Sequence, residues 1–218
     1  AQRRTFLGFK RDSGRAGTRN YVAVIATVNC SAHVCREIAA HFTPQRLEAY
    51  PNVDGVIPIV HTLGCTDRVG SPNYVVLQRT LAGIARHPNV AGCVLVGLGC
   101  EVNQVSELTE NYGLDGTGYV MLSIQDLGGV RKTVAAGIAA VEQLLETANA
   151  CQRSERPVSE LAVALQCGGS DSWSGVTAIS TPRRSASYTA SASAMFLATR
   201  VNSSSWVSTT FPSASFFR

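Results

Sequence analysis

The sequence predicts an α/β fold, an open parallel sheet in three layers built from Rossmann-like strand–helix units, followed by forty C-terminal residues of irregular character. Two observations carry this expectation. From Tyr21 onward, short β-rich runs alternate with longer stretches of helical period, the pattern of a parallel sheet with crossover helices. Hairpin signals are missing between these runs, so the connections are expected to be right-handed crossovers.

The first strand, residues 21–28 (YVAVIATV), is nearly continuous in apolar residues, as a strand covered on both faces should be. Ser31 then caps a helix that runs to about Phe42. Residues 56–60 form the second strand. A helix follows over 74–86, with Val75, Leu77, Leu81 and Ile84 on one side. Residues 91–98 (AGCVLVGL) are the third strand, succeeded by a short helix over 102–112. The fourth strand is 118–124. Residues 131–151 give the clearest helix, with Val134, Ile138, Val141 and Leu145 at helical spacing. A fifth strand is expected over 161–165. Strand order does not follow from the sequence. Residues 1–20, polar and glycine-bearing, read as an arm or the end of a linker; 21–156 form the main α/β domain, and 157–178 start another.

The character changes near residue 179. The last forty residues contain eleven Ser and five Thr but no Gly, Lys, Asp or Glu, while retaining Met195, Phe196, Leu197, Trp206, Val207, Phe211, Phe216 and Phe217. Such a tail suits neither a domain nor a solvated linker. Two readings stay open: translation out of register with the gene, or a Ser-rich segment that docks on a partner.

Composition excludes several function classes. With 45% hydrophobic and 16% charged residues, the chain is not disordered throughout, and a core of this size needs no disulfide or structural metal. Any metal would therefore be functional. No apolar run approaches the roughly 18 residues of a membrane span, and no secretory leader is recognisable. A cytoplasmic protein without membrane association is expected. The net charge of +4 comes from four arginines in the last forty residues, since the preceding 178 hold fifteen basic and fifteen acidic residues. A neutral body does not point to nucleic acid. Seven cysteines, an odd number, are expected as reduced thiols.

In open α/β sheets ligands gather at the carboxyl ends of the strands. The first strand is followed by Asn29, Cys30 and Ser31, the second by His61, Gly64 and Cys65, and the third by Gly99, Cys100, Glu101, Asn103 and Gln104. After the fourth come Gln125 and Asp126. After the fifth come Gln166, Cys167, Gly168, Gly169, Ser170 and Asp171. Cys30, Cys65, Cys100 and Cys167 thus occupy equivalent places, and converging thiolates suggest a soft or borderline metal such as iron or zinc. The competing reading is that these cysteines are small residues in tight turns. Cys35, Cys93 and Cys151 fall within helices or a strand and should be inert. His61 suits a ligand or general base, or a hydrogen-bonded loop residue. Glu101 suits the same chemical roles, or that of a helix-start acid. The segment RAGTRN offers Arg15, Arg19 and Asn20 at the sheet rim, where a polyhydroxy carboxylate could bind. A solvated entry loop explains it as well. Asn29 and Asn103 are further substrate-binding candidates. Neither GLGCE nor QCGGSD is a dinucleotide fingerprint or phosphate loop, so neither NAD nor ATP is expected.

The segments GRAGTRNY, ATVNCSA, YPNVDGV, QRTLAGIARHPNVAG, VGLGCEVNQ, GGVRKTVAAGI and ALQCGGSDSWSGVTA resemble the altronate and galactarate dehydratase family of sugar-acid hydro-lyases over residues 6–178. The form TVNCSA is more like the altronate branch; sulfolactate sulfo-lyase large subunits share the architecture. The resemblance implies a cytoplasmic enzyme that uses Fe2+, another divalent metal or an iron–sulfur cluster to remove water from a sugar acid, giving a 2-keto-3-deoxy product. It implies a homodimer formed through the middle domain, 21–156. It further implies a truncated piece that is inactive alone. Thr66 and Asp67 in HTLGCTDR stand where relatives usually have Gly after the Cys. Dehydration beside a carboxylate must break a weakly acidic C–H bond and expel hydroxide, steps that a Lewis-acid metal eases. Cys30, Cys65, Cys100 and Cys167 are then candidate metal ligands, Arg15 or Arg19 would hold the carboxylate, and His61, Glu101 or Lys132 would act as base. Two rival readings are a non-catalytic dimerisation module of such an enzyme and a thiol-based redox domain.

Overall fold

The computed structural model describes residues 4–116 and 118–161. In chain order the elements are β1 (Thr5–Lys10), β2 (Ala16–Gly17), β3 (Tyr21–Ala26), α1 (Ala32–His41), α2 (Pro44–Leu47), β4 (Gly55–Ile59), α3 (Pro72–Ala85), β5 (Val90–Gly97), α4 (Val105–Tyr112), β6 (Tyr119–Ser123), α5 (Val130–Ala150) and β7 (Arg153–Pro157). The described residues divide into two compact units, one within 19–153 and the other made of 4–18 with 154–161. Four expected features lie outside the described residues: the fifth strand beyond Leu161, the QCGGSD loop, Cys167 and the Ser-rich tail.

Residues 19–153 form the three-layer α/β body that the alternating pattern predicts. Its sheet has the order β4-β3-β5-β6, and every pairing is parallel. Residues 22–26 of β3 are fully buried, which explains its unbroken apolar run. Val22, Val24 and Ala26 pack with Val94 and Val96 of β5 against α1 and α5. The alternate residues Ala23, Ile25, Cys93 and Leu95 are also fully buried, and α3 and α4 contact the sheet as well. Each fully buried Val, Leu or Ile contributes on the order of 1.5–3 kcal/mol relative to exposure, so the central strands dominate the stability of this unit.

Local chemistry sets the helix ends. Ser71 caps α3 through the backbone N–H of Tyr74, with Pro72 in its first turn. Gly113, in the left-handed region at φ 57°, closes α4. Ser31 holds the N-cap position of α1 but makes no capping bond. Its hydroxyl lies 2.7 Å from the Val96 carbonyl and 2.9 Å from that of Val28, so it fastens the end of β3 to β5 instead.

The other unit holds two strands, β1 and β2, within the residues that the sequence reads as an arm or the end of a linker. Its three strands have the order β2-β1-β7, with β1 and β2 antiparallel. Gly14, at φ 76°, turns the chain between them. Phe9 is buried, Thr5 donates to Glu155 at 2.6 Å, and Arg156 grips Glu160 with two bonds of 2.7 and 2.6 Å. The segment is polar overall, yet one buried aromatic and edge pairing with β7 suffice to order it. β7 escaped notice because RSERP lacks the apolar alternation of a strand.

Candidate functional site

The strand order reverses between β3 and β5, since β3 is flanked by β4 on one side and by β5 on the other. A crevice at the carboxyl ends of such a pair is where open α/β sheets bind ligands. Three loops meet there: 27–31 after β3, 60–71 after β4 and 98–104 after β5. Backbone bonds stitch them together. Asn29 donates to the Leu63 carbonyl at 3.0 Å, and Asn103 donates to that of Gly64 at 3.2 Å. The Asn103 side chain, itself fully buried, donates to the Thr27 carbonyl at 2.8 Å. Gly64 is required at this crossing. Its φ is +97°, and a Cβ there would stand 2.6 Å from the Thr27 carbonyl oxygen.

Each loop carries one exposed thiol: Cys30, Cys65 and Cys100. The Cys65 thiol is pushed above its ordinary range, first by desolvation, then by the neighbouring Cys30 and Cys100 thiols, a hydrogen bond with Cys30, and Glu101. Three of the four expected cysteines therefore share one rim. The other described cysteines behave as expected of inert positions. Cys35 and Cys93 are buried, and burial raises both, Cys93 to about 12. Cys151 lies half-buried at the end of α5.

Glu101 and His61 belong to the same rim but are committed to the fold. Glu101 is buried. Its carboxylate accepts from the Leu98 N–H at 3.1 Å, the Gly99 N–H at 2.6 Å and the Thr27 hydroxyl at 3.1 Å. It thereby ties the Cys100 loop to the end of β3. His61 contacts the Ala26 carbonyl through Nε2 at 2.9 Å and accepts from the Leu63 N–H through Nδ1 at 3.1 Å. A carbonyl can only accept, so Nε2 carries the proton and both ring nitrogens are engaged. Burial lowers its pKa, against smaller upward pulls from the Ala26 bond and Asp67. Thr27 went unnoticed in the sequence because it looks like one more residue of an apolar strand.

Arg19 and Asn20 lie at the opposite end of β3 from the thiols. They precede β3, and their partners precede the neighbouring strands. Arg19 pairs with Asp54 at 3.0 Å, and its backbone N–H donates to Asn89 at 3.1 Å. The Asn20 side chain donates to the carbonyls of Asn52 at 2.7 Å and Ala148 at 2.8 Å. This is the amino edge of the sheet, separated from the thiols by the length of β3, roughly 20 Å at about 3.3 Å per residue. The two residues brace the strand starts. Arg15 belongs to the other unit.

Beside the thiol rim lies a cavity of about 260 Å³, lined by Gly99, Glu101, Gln104, Ser106, Met121, Ser123 and Asp126, among others. Its hydroxyl, amide and carboxylate groups suit a small polyhydroxylated molecule. Lys132, exposed in the first turn of α5, follows the carboxyl end of β6 on the same edge. Among the described residues no three His, Cys, Asp or Glu side chains close around a position for a single metal ion.

Residues 8–149 match the family model described as "D-galactarate dehydratase/Altronate hydrolase, second domain". The chain belongs to this family. It is 33% identical over 177 residues to the altronate dehydratase of Bacillus subtilis (strain 168), covering 81% of this chain and 35% of that protein. It is 36% identical over 181 residues to the galactarate dehydratase (L-threo-forming) of Escherichia coli (strain K12), covering 80% and 35%. The (2R)-sulfolactate sulfo-lyase subunit beta of Chromohalobacter salexigens is 30% identical over 174 residues, covering 79% and 40%. The chain thus spans about a third of the length of the dehydratases it matches. Within the segment that defines the family's second domain stand Cys30, Cys65 and Cys100, with the loops that gather them. Cys167 falls beyond it. No helix among the described residues is long and apolar enough to cross a membrane.

Proposed function

We propose that this chain is part of an iron-dependent sugar-acid dehydratase that converts an altronate-type acid to its 2-keto-3-deoxy product, in a cytoplasmic homodimer. The observation that carries this reading is the joining of three exposed thiols, on three stitched loops, to a polar cavity at the switch point of the sheet.

The donor set fits iron in kind. Thiolates suit iron, especially with sulfide, and are unnatural ligands for magnesium or calcium. Cys30, Cys65 and Cys100 would hold it, with Cys167 a fourth candidate outside the described residues. The chemistry that iron supplies when bound is Lewis-acid polarisation of the substrate's carboxylate and leaving oxygen. The remaining work falls to the chain. In the overall reaction the C–H bond next to the carboxylate breaks and its proton passes to a base. The electron pair forms a carbon–carbon double bond as hydroxide departs, to be protonated as water. The resulting enol tautomerises to the keto acid. Of the three base candidates, Lys132 is the exposed one; Glu101 and His61 set the shape of the rim. Asn29 is exposed beside Cys30, and Gln104, Ser123 and Asp126 line the cavity, where they would hydrogen-bond the substrate's hydroxyls. Arg15 remains a candidate for the carboxylate.

Calorimetry with the iron-loaded chain under anaerobic conditions tests the reading. Altronate or galactarate should bind, and binding should weaken at least tenfold in Lys132→Ala or Asp126→Ala. Absence of aldonate and aldarate binding by an iron-loaded chain would leave a non-catalytic module, and preference for sulfolactate would favour the sulfo-lyase relatives. Light scattering in the same buffer checks the dimer.

A further inference from the structure

Altronate carries a carboxylate at one end and galactarate at both, and the chain is similar to a dehydratase of each. Its own residues therefore decide which acid fits, and the cavity beside the thiol rim is where they meet one. The charged groups that line it are Glu101 and Asp126, and among the described residues no Lys, Arg or His lines it. Asp126 is exposed, and among the described residues its carboxylate has neither a hydrogen bond nor an ion pair. Glu101 is 3% exposed. A carboxylate offers about four lone-pair positions, and the Leu98 N–H, the Gly99 N–H and the Thr27 hydroxyl take three of them. Its Oε2 atom carries only the Gly99 bond, so a buried acceptor position is left over at the wall of the cavity.

Donors stand opposite these two carboxylates. The first turn of α4 has no side-chain cap, so the N–H groups of Val105 and Ser106 have no intrahelical partner, and the Ser106 hydroxyl is beside them. Ser123 is held only by long contacts, 3.5 Å to the Leu98 carbonyl and 3.5 Å from the Asp126 N–H. A ligand hydroxyl both donates and accepts, and can give its proton to a carboxylate while taking one from an N–H or a serine. A ligand carboxylate can only accept, and it would bring like charge against Glu101 and Asp126 with no lining cation to offset it. Val105, Met121 and Leu122 add an apolar wall, which suits the C–H face of the same carbon chain.

We propose that this cavity takes the neutral, hydroxyl-bearing end of the sugar acid, leaving its carboxylate outside, and that Asp126 selects acids with one carboxylate over those with two. The sugar-acid class rests on the dehydratase reading; the preference for a neutral end rests on the lining. Asp126 is the selective group because it is exposed and uncommitted, whereas Glu101 is engaged by its own loop. The far carboxylate of a dicarboxylic acid must enter beside it. Repulsion between like charges several ångströms apart in a half-open site amounts to about tenfold in affinity.

Two measurements on the full chain test this. The chain has two methionines, Met121 at the cavity and Met195 in the Ser-rich tail, so isotopic labelling of the methionine methyls gives the cavity a magnetic resonance signal of its own. In the metal-free, reduced chain with a chelator present, the neutral hexitol of altronate should shift the Met121 signal and leave that of Met195 in place. Ser106→Ala should weaken this binding about threefold. Calorimetry on the anaerobic, iron-loaded chain then compares the acids. Altronate should bind about tenfold more tightly than galactarate, and Asp126→Asn should close the gap to about twofold by strengthening galactarate. Since the Asp126 side chain is exposed and bonded to none of the described residues, this substitution leaves the fold intact. An unmoved Met121 signal, galactarate bound as tightly as altronate, or a gap unchanged in Asp126→Asn would each overturn the proposal. The two readings fail separately. A hexitol seated at Met121 with neither acid bound would sink the dehydratase and keep the polyol cavity, whereas both acids bound alike would do the reverse.

Discussion

Glu101 receives the Leu98 and Gly99 N–H groups and the Thr27 hydroxyl, and so holds Cys100 where Cys65 can feel it. Replacing it with Gln puts an amide N–H₂ where one acceptor was required. Glu101→Gln should therefore destabilise the fold by about 1–3 kcal/mol, measured by urea denaturation. An unchanged midpoint would refute the tying role. His61 makes a pH-dependent contribution. Burial depresses its folded pKa below the ordinary 6.5, so the unfolded state takes up the proton first as pH falls. The contribution is fully present above about pH 6.5 and is lost as pH drops through the folded value. Stability measured from pH 7.5 to 5 should fall less steeply in His61→Asn than in the parent. At this scale the sequence was legible in part. Cysteines after successive strands could be picked out because the element pattern alone fixes those places. The roles of Glu101 and His61 could not, since they depend on which backbone groups a fold brings within 3 Å. The edge on which Arg19 and Asn20 stand was not legible, because adjacency to β3 does not tell its amino edge from its carboxyl edge.

The loops between the elements depend on glycine where two backbones nearly touch. Gly64 crosses the end of β3 at positive φ, with no room for a Cβ. Gly64→Ala should cost about 1–3 kcal/mol through strain and overpacking, and should swing the Cys65 loop off its neighbours. Thermal denaturation and the alkylation rate of Cys65 read both effects; a variant matching the parent in both would show the crossing to be slack. Gly137 performs the equivalent service for helices, since a Cβ there would lie 2.3 Å from Ile38 Cδ1. In this way α5 comes close to α1. The strands and helices of the body were readable because buried parallel strands and amphipathic helices leave unmistakable periods. β7 was not, because a short polar edge strand leaves none.

At the level of the whole molecule, the order β4-β3-β5-β6 creates the switch point and so makes a site out of separate loops. That order is set by pairings between strands remote in the chain, which is why composition and period could not supply it. The family match supplies the chemistry to look for, and the body supplies one edge at which thiols and a polar cavity adjoin. That convergence makes the site, and a short bifunctional thiol reagent tests it without any metal. Applied to the reduced full chain and followed by peptide mass spectrometry, it should join Cys65 to Cys30 and to Cys100, with no bridge to Cys151. Single modification of each thiol, with no bridged peptides, would contradict it.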